Sequence, residues 1–455
     1  MCGLFAIVGH PQAAQIALSG LQALQHRGEA STGLVAGRGA TWHAERRAGR
    51  VDQAWQAWRD NGALLGWQAA DWALGHVRYP TSGQSGADDA QPLTAGEADG
   101  LLAVAHNGQL TNAAALWRQL GHGSDGDMPA DTTAILRLLQ QHATGDLAMR
   151  LAAVLPQLQG AYSLAVQSTT TLLLARDPHG FRPLVLGQLA HAGGMAWLAA
   201  SEAVALQACG ATVVREVAAG EMVSLDATGI TSHGVVVAPQ PRRACVFEPV
   251  YFAHAAGQVF GCDVAAMRRA SGARLAVECA AHGADAVVAI PESGTLAAAA
   301  YAAQAGLPLI EGLQRAPHAG RSFLLPSMPL RQQAVRTKLT AIREAVAGRA
   351  LVVVDDSLVR GTTARAVLAM LRDHGARQLH LRIASPPVRW PCWYGIDTPE
   401  RSELAAAMRD ETALCAWLGA DSIGYLSLSG LIAASGGEGW CTACFDGAHP
   451  LPLQS

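Results

Sequence analysis

The chain has 455 residues, half of them apolar and only 15% charged, with a net charge of −3. A chain of this length is expected to form two or three domains with large buried cores. The near-balanced charge argues against nucleic acid or an anionic membrane surface as a partner. No basic region precedes an apolar stretch at the N-terminus, so no secretion signal is expected and the cytoplasm follows by default. Two charge-free runs, Leu151–Ala175 and Pro183–Ser201, approach membrane-spanning length. Gly, Pro, Gln, Ser or Thr interrupt both, so they read as core strands and turns, with no membrane partner. The nine cysteines are therefore expected as core residues, ligands or nucleophiles, not as structural disulfides.

In chain order, the sequence begins Met1-Cys2-Gly3-Leu4-Phe5-Ala6-Ile7-Val8-Gly9. Removal of Met1 would leave Cys2 with a free α-amine, whose ordinary pKa of about 7.7–8.0 makes it a built-in base. A thiol beside such an amine is an activated nucleophile, by the logic of an N-terminal threonine. A polar, glycine-punctuated loop follows at His26-Arg27-Gly28-Glu29-Ala30-Ser31-Thr32-Gly33. A short apolar run leads into Gly75-His76-Val77-Arg78-Tyr79-Pro80-Thr81-Ser82-Gly83, and a second strand-like run, Leu101–Ala105, leads into His106-Asn107-Gly108-Gln109. By itself an Asn-Gly at a strand end reads equally well as a hairpin turn.

In order and spacing, these segments resemble the N-terminal-nucleophile, class II glutamine amidotransferases over roughly the first 230 residues. The resemblance implies an αββα sandwich spanning 2–235. Cys2 would attack the side-chain amide of glutamine. Asn107 and the Gly108 N–H would form the oxyanion hole, at about 3–4 kcal/mol per donor. Arg78 would hold the α-carboxylate of glutamine, a bidentate task suited to a guanidinium. Asp131 would hold the α-ammonium. Two departures stand out: Glu29-Ala30 replaces the family's Gln-Glu pair, and Thr133 stands where the family has Glu. Gly160–Leu164, Arg176–Leu184 and Ala200–Glu202 are family-like and are given packing and turn roles.

Val235–Arg243, with two prolines and two adjacent arginines, is the expected boundary. Beyond it lies Leu351–Leu371. Its valine-rich run ends in Asp355-Asp356, a Ser/Arg/Gly/Thr turn follows, and Ala364, Val367, Leu368 and Leu371 recur at helical spacing. This reads as a buried parallel strand, an anion-cradling loop and a helix. Two acids just before such a loop suit a phosphorylated sugar, with carboxylates for ribose hydroxyls or a metal and Ser357–Thr363 for the phosphate. The pattern is not a P-loop.

Together with Cys245-Val246-Phe247-Glu248-Pro249 and Ser385-Pro386-Pro387…Pro391-Cys392-Trp393-Tyr394-Gly395-Ile396-Asp397, this half resembles the amidophosphoribosyltransferase family. The likeness then covers nearly the whole chain. It implies a type I phosphoribosyltransferase α/β domain over 244–455. Phosphoribosyl pyrophosphate (PRPP) would be held by Asp355, Asp356, Ser357, Arg360, Gly361, Thr362 and Thr363, and Mg²⁺ by Ser293, Asp355 and Asp356. The implied reaction transfers ammonia from glutamine to C1 of PRPP, the first committed step of purine synthesis. The ammonia would pass from the glutaminase site to the transferase site. The expected assembly is a homo-oligomer.

Ala316-Pro317-His318-Ala319 replaces an Asn-Arg-Tyr-Val run of the family, while Arg315, Arg321 and Arg331–Lys338 remain. A divergent amidotransferase acting on another phosphoribosyl-like acceptor is the second reading, and a non-catalytic regulatory paralogue the third. Cys245, Cys392, Cys441 and Cys444 match the ligand set of the family's iron–sulfur branch and imply a structural [4Fe–4S] cluster. A Cys₄ zinc site is the competing metal reading, and the absence of any metal is the other. Cys209, Cys262, Cys279 and Cys415 fit no ligand pattern and are expected as small buried hydrophobes.

Overall fold

The computed structural model describes residues 2–79, 89–97, 100–121, 128–142, 144–315, 339–398 and 400–453. The altered run 316–319, Arg321, the basic segment 331–338 and the end of the GHVRYPTSG segment at 80–83 lie outside the described residues.

The first unit consists of Met1–Cys245 together with two later pieces, Trp393–Asp397 and Pro450–Ser455. Its two large sheets are built from β1 (Gly3–Val8), β2 (Ser31–Arg38), β3 (Thr41–Ala48), β4 (Trp72–Arg78), β5 (Leu93–Glu97), β6 (Gly100–Leu110), β7 (Gly160–Gln167), β8 (Leu172–Arg176), β9 (Val185–His191), β10 (Gly194–Ala200), β11 (Thr212–Glu216), β12 (Glu221–Asp226) and β13 (Gly229–Val235). They form a seven-stranded sheet in the order β11-β9-β10-β1-β4-β2-β3 and a six-stranded sheet in the order β13-β12-β8-β7-β6-β5. Helices α1 (Ala13–Ala23) and α2 (Val51–Asp60) cover the first sheet, and α3 (Ala113–Gln119), α4 (Asp131–Gln141) and α5 (Leu147–Val154) accompany the second.

Alternation along β1 explains the layering. Leu4, Ala6 and Val8 enter the core between the sheets, while Phe5 and Ile7 meet Ala17, Leu21 and Trp58 on the helix side. Each such fully buried large side chain contributes about 1.5–3 kcal/mol relative to exposure. Along β6, Leu101, Ala103 and Ala105 face the inter-sheet core. Leu102 and Val104 face Ile135 and Leu138 of α4. With a period of two, Asn107 continues the inner row and His106 the outer one.

The Asn-Gly pair does not make a hairpin turn. β6 runs straight through it, with Asn107 opposite Ser163 and Gly108 opposite Tyr162 on β7.

The second unit consists of Val246–Cys392 and Thr398–His449. Its sheet is parallel throughout: β14 (Ala286–Ala289), then β17 (Ala350–Asp355), β18 (Gln378–Ile383) and β19 (Ser422–Tyr425). A short antiparallel ribbon pairs β15 (Leu313–Arg315) with β16 (Leu339–Ala341). Packed with this unit are α6 (Val264–Glu278), α7 (Thr295–Ala305), α8 (Thr362–Asp373) and α9 (Glu411–Leu418). The stretch that begins at Leu351 behaves as its pattern predicts: β17 is buried along its whole length, and Ala364, Val367, Leu368 and Leu371 are the core side of α8. No helix among the described residues is long and apolar enough to cross a membrane.

Candidate active site

In the first unit, β1 places Cys2 at its leading edge, with only 8% of the residue exposed. Strand pairing sets Leu4 opposite His76 and Gly3 opposite Val77. Cys2, His76 and Arg78 therefore share the face turned toward the second sheet. The Cys2 N–H donates to Asn107 Oδ1 at 3.3 Å, and the Cys2 thiol lies 3.8 Å from the Tyr79 carbonyl. Burial pushes the thiol pKa up, but the charge and donor capacity of His76 win, and the thiol falls from its ordinary 9.0 to about 6. His76 is fully buried. Its Nε2 stands 3.3 Å from the His106 carbonyl, and its Nδ1 makes no hydrogen bond of ordinary geometry.

Asn107 is buried, and its Nδ2 reaches toward Ser201 Oγ at 3.5 Å. Because Cys2 N takes Oδ1, the Nδ2 hydrogens are left as donors. Gly108 has φ +152°, and a Cβ there would lie 2.0 Å from the Ala161 carbonyl oxygen, so only glycine fits.

The Arg78 guanidinium is nearly buried and pairs with Asp89 at 3.3 Å. It thus already meets a carboxylate, the group that glutamine would offer it. Asp131 opens α4. Its carboxylate accepts from Leu110 N at 2.9 Å and Thr132 N at 2.8 Å, and it pairs with His106 Nδ1 at 3.5 Å. Burial alone would raise the Asp131 pKa, but His106 and the backbone donors lower it. Burial likewise opposes charge on His106, but Asp131 wins and raises it.

In the second unit, Asp355 ends β17 and Asp356 follows it directly; both are buried. Burial, then the charge of Asp356, pushes the Asp355 carboxyl well above its usual range. Ser293 Oγ donates to Asp356 Oδ1 at 2.5 Å, and Ser357 Oγ donates to Asp356 Oδ2 at 2.7 Å. Two crowded carboxylates and a hydroxyl form an oxygen donor set suited to a hard cation, which would relieve their repulsion. These residues fit Mg²⁺.

Gly361 turns the chain at φ +72° into α8, where Thr362 and Thr363 open the first turn. A Cβ on Gly361 would stand 2.7 Å from the Trp417 ring. That ring is flanked by Arg409 at 4.3 Å and Arg365 at 5.1 Å. Arg360 donates to Glu403 Oε2 at 2.8 Å. The loop thus ends at a helix N-terminus, the usual place for a phosphate.

Residues 76–208 match the family model described as a glutamine amidotransferase domain. An amidophosphoribosyltransferase of Mycobacterium bovis is 41% identical over 99% of this chain and 86% of its own length. The chain belongs to the amidophosphoribosyltransferase family. A Bacillus subtilis member is 38% identical over 99% of the chain and 94% of its own length. The solved B. subtilis glutamine PRPP amidotransferase, complexed with ADP and GMP, superposes with a TM-score of 0.89 at 37% identity, covering all of this chain and 98% of that one. The family fold, an N-terminal-nucleophile glutaminase domain with a phosphoribosyltransferase α/β domain, is the fold of this chain.

Several further residues surround Cys2 without a motif signal of their own. Arg27 is fully buried; its Nε donates to the Cys2 carbonyl at 2.8 Å and its NH1 to Glu202 Oε1 at 2.5 Å. His26 Nε2 meets the same carboxylate oxygen at 2.9 Å. Ser201 Oγ accepts from Leu4 N at 2.9 Å. The HRG and SE segments were the available signal, but their pairing spans 175 residues of sequence. Gly28 allows the approach, since a Cβ there would lie 2.5 Å from the Arg78 carbonyl carbon.

Of the expected cluster ligands, Cys392, Cys441 and Cys444 belong to the second unit and Cys245 to the first. Within the second unit, Arg389 N and Trp390 N donate to the Cys444 carbonyl at 3.0 and 3.1 Å. Yet among the described residues no group of three or more His, Cys, Asp or Glu is placed to hold a metal ion. Cys209, Cys262, Cys279 and Cys415 are half-buried, which corrects the expectation of buried hydrophobes. Cys209 and Cys279 cap helix ends, where one side of the residue stays open to solvent.

Proposed function

We propose that the chain catalyses glutamine-dependent amination of PRPP to 5-phosphoribosylamine, the first committed step of purine synthesis. The observation that carries this reading is the hydrogen bond from Cys2 N to Asn107 Oδ1, which joins an activated nucleophile to an oxyanion donor. With Met1 removed, Cys2 Sγ attacks the γ-amide carbon of glutamine. Asn107 Nδ2–H and Gly108 N–H receive the oxyanion. The Cys2 α-amine gives its proton to the leaving nitrogen, ammonia departs, and water hydrolyses the thioester to glutamate. Arg78 holds the α-carboxylate of glutamine and Asp131 its α-ammonium.

In the transferase half, ammonia attacks C1 of PRPP and pyrophosphate leaves. Ser357, Arg360, Gly361, Thr362 and Thr363 hold the 5′-phosphate through the loop and helix N-terminus, and Asp355 and Asp356 orient the ribose hydroxyls. Mg²⁺, held by Ser293, Asp355 and Asp356, would neutralise charge on the departing pyrophosphate. Cytoplasmic location and a homo-oligomeric state belong to the same reading.

The [4Fe–4S] assignment to Cys245, Cys392, Cys441 and Cys444 rests on sequence pattern. Iron and sulfide quantification of anaerobically purified protein tests it, and stable metal-free protein contradicts it. The functional reading is tested by Cys2→Ala. This variant should lose phosphoribosylamine formation from glutamine and keep it from ammonia. Retained glutamine-dependent activity overturns the reading.

A further inference from the structure

The five residues Trp393–Asp397 belong to the first unit, although the chain on both sides of them belongs to the second. Their anchoring is specific. Fully buried Arg182 donates Nε to the Tyr394 carbonyl at 3.0 Å, and its NH2 donates to the same oxygen. The Phe181 ring stacks on Tyr394 with centroids 4.4 Å apart and planes 14° apart. The far end of Tyr394 is fixed as well: its hydroxyl donates to the Leu451 carbonyl at 2.8 Å and accepts from Leu451 N at 2.9 Å.

Tyr394 is thus held at its backbone, its ring face and its hydroxyl, and the residue it delivers is Gly395. Gly395 has φ +98°. A Cβ on it would lie 2.9 Å from both the carbonyl carbon and the oxygen of Gly108, and 3.2 Å from the Gly108 Cα. Backbone therefore packs on backbone, with no room for a side chain. On another side, Gly108 presses against the Ala161 carbonyl. A glycine with no side chain of its own has little to fix its peptide planes. These two contacts do so from outside.

We propose that Gly395, held in place by Tyr394 and Arg182, is a positioning residue for glutamine hydrolysis: it backs the Gly108 backbone and so sets the aim of the Gly108 N–H. The proposal rests on the reading of Gly108 as an oxyanion donor. A small misplacement of such a donor is expensive, because its hydrogen bond is strongest only in the transition state.

The test is Gly395→Ala in the full-length protein, with glutamine hydrolysis, ammonia-dependent phosphoribosylamine formation and thermal unfolding measured together. The expected result is a glutaminase kcat lower by about tenfold or more at unchanged glutamine KM. Affinity for glutamate γ-semialdehyde, whose thiohemiacetal oxygen would occupy the same hole, should fall in parallel, while the ammonia-dependent rate stays at wild type. A folded Gly395→Ala protein with wild-type kcat overturns the proposal, as does an equal loss of the ammonia-dependent rate.

If Gly395→Ala is insoluble, Tyr394→Phe decides. It removes the two Leu451 hydrogen bonds, keeps the stack, and should lower glutaminase kcat about threefold at unchanged KM. A wild-type kcat there overturns the proposal. Asn107→Ala separates the two levels of the argument. If it too leaves glutaminase kcat intact, the oxyanion-hole reading itself is wrong. If it abolishes hydrolysis while Gly395→Ala does not, only the positioning proposal fails.

Discussion

His76→Gln offers a direct probe of how the nucleophile is activated. The Cys2 thiol ionises at about 6, against an ordinary 9.0. Burial works against that ionisation, and His76 is the foremost group working for it. At pH 7 a thiol of pKa near 6 is roughly nine-tenths thiolate, whereas one near 9 is roughly one-hundredth thiolate, a ceiling of about 90-fold in reactive species. Glutamine at position 76 keeps a donor for the His106 carbonyl but removes the imidazole's charge. We expect the thiol to titrate about one to two units higher, and its alkylation at pH 7 to slow by about two- to tenfold. The assay is iodoacetamide labelling of Met1-free protein across pH 5–10, read by mass spectrometry of the N-terminal peptide. An unchanged inflection in folded His76→Gln protein would refute the role of the imidazole. An inflection above 8 in the wild type would refute the activated thiol altogether.

Two further predictions concern charge. His106 is held above its ordinary 6.5 and Asp131 below its ordinary 3.8. Their pairing therefore stabilises fully between those ordinary values. It is lost as pH rises through the raised His106 value or falls through the lowered Asp131 value. Asp131→Asn should cost about 3–5 kcal/mol near pH 5.5 and less at pH 9, measured by denaturant unfolding; a pH-independent difference would contradict the pairing. Asp355 carries the opposite sign, since its folded pKa lies above its ordinary 3.8 and so destabilises the fold at neutral pH. Asp355→Asn should raise the melting temperature by about 1–3 °C while abolishing PRPP use. Added Mg²⁺ should stabilise the wild type and not the variant; equal stabilisation of both would place the cation elsewhere.

The sequence read well wherever chemistry was local. The strand ending in Asp355-Asp356, the glycine turn at Gly361 and the helix from Thr362 follow from period and turn chemistry alone. The motifs around Cys2, Arg78 and Asn107 were legible through their order. What could not be read was non-local. Whether Asn107-Gly108 turns or continues depends on its pairing with Ser163 and Tyr162 on β7. The buried chain from Glu202 through Arg27 to the Cys2 carbonyl closes only in three dimensions. The division expected at 235–244 also missed the return of Trp393–Asp397 to the first unit. That segment carries no boundary signal, because its hold comes from the distant residues Phe181 and Arg182.

The central claim is that glutamine hydrolysis at Cys2 serves amination of PRPP. It is tested most directly by following glutamate, pyrophosphate and phosphoribosylamine in one reaction with and without PRPP. The account predicts that PRPP stimulates hydrolysis and that the three products appear in equal amounts. Glutaminase activity indifferent to PRPP, with no pyrophosphate released, would contradict it.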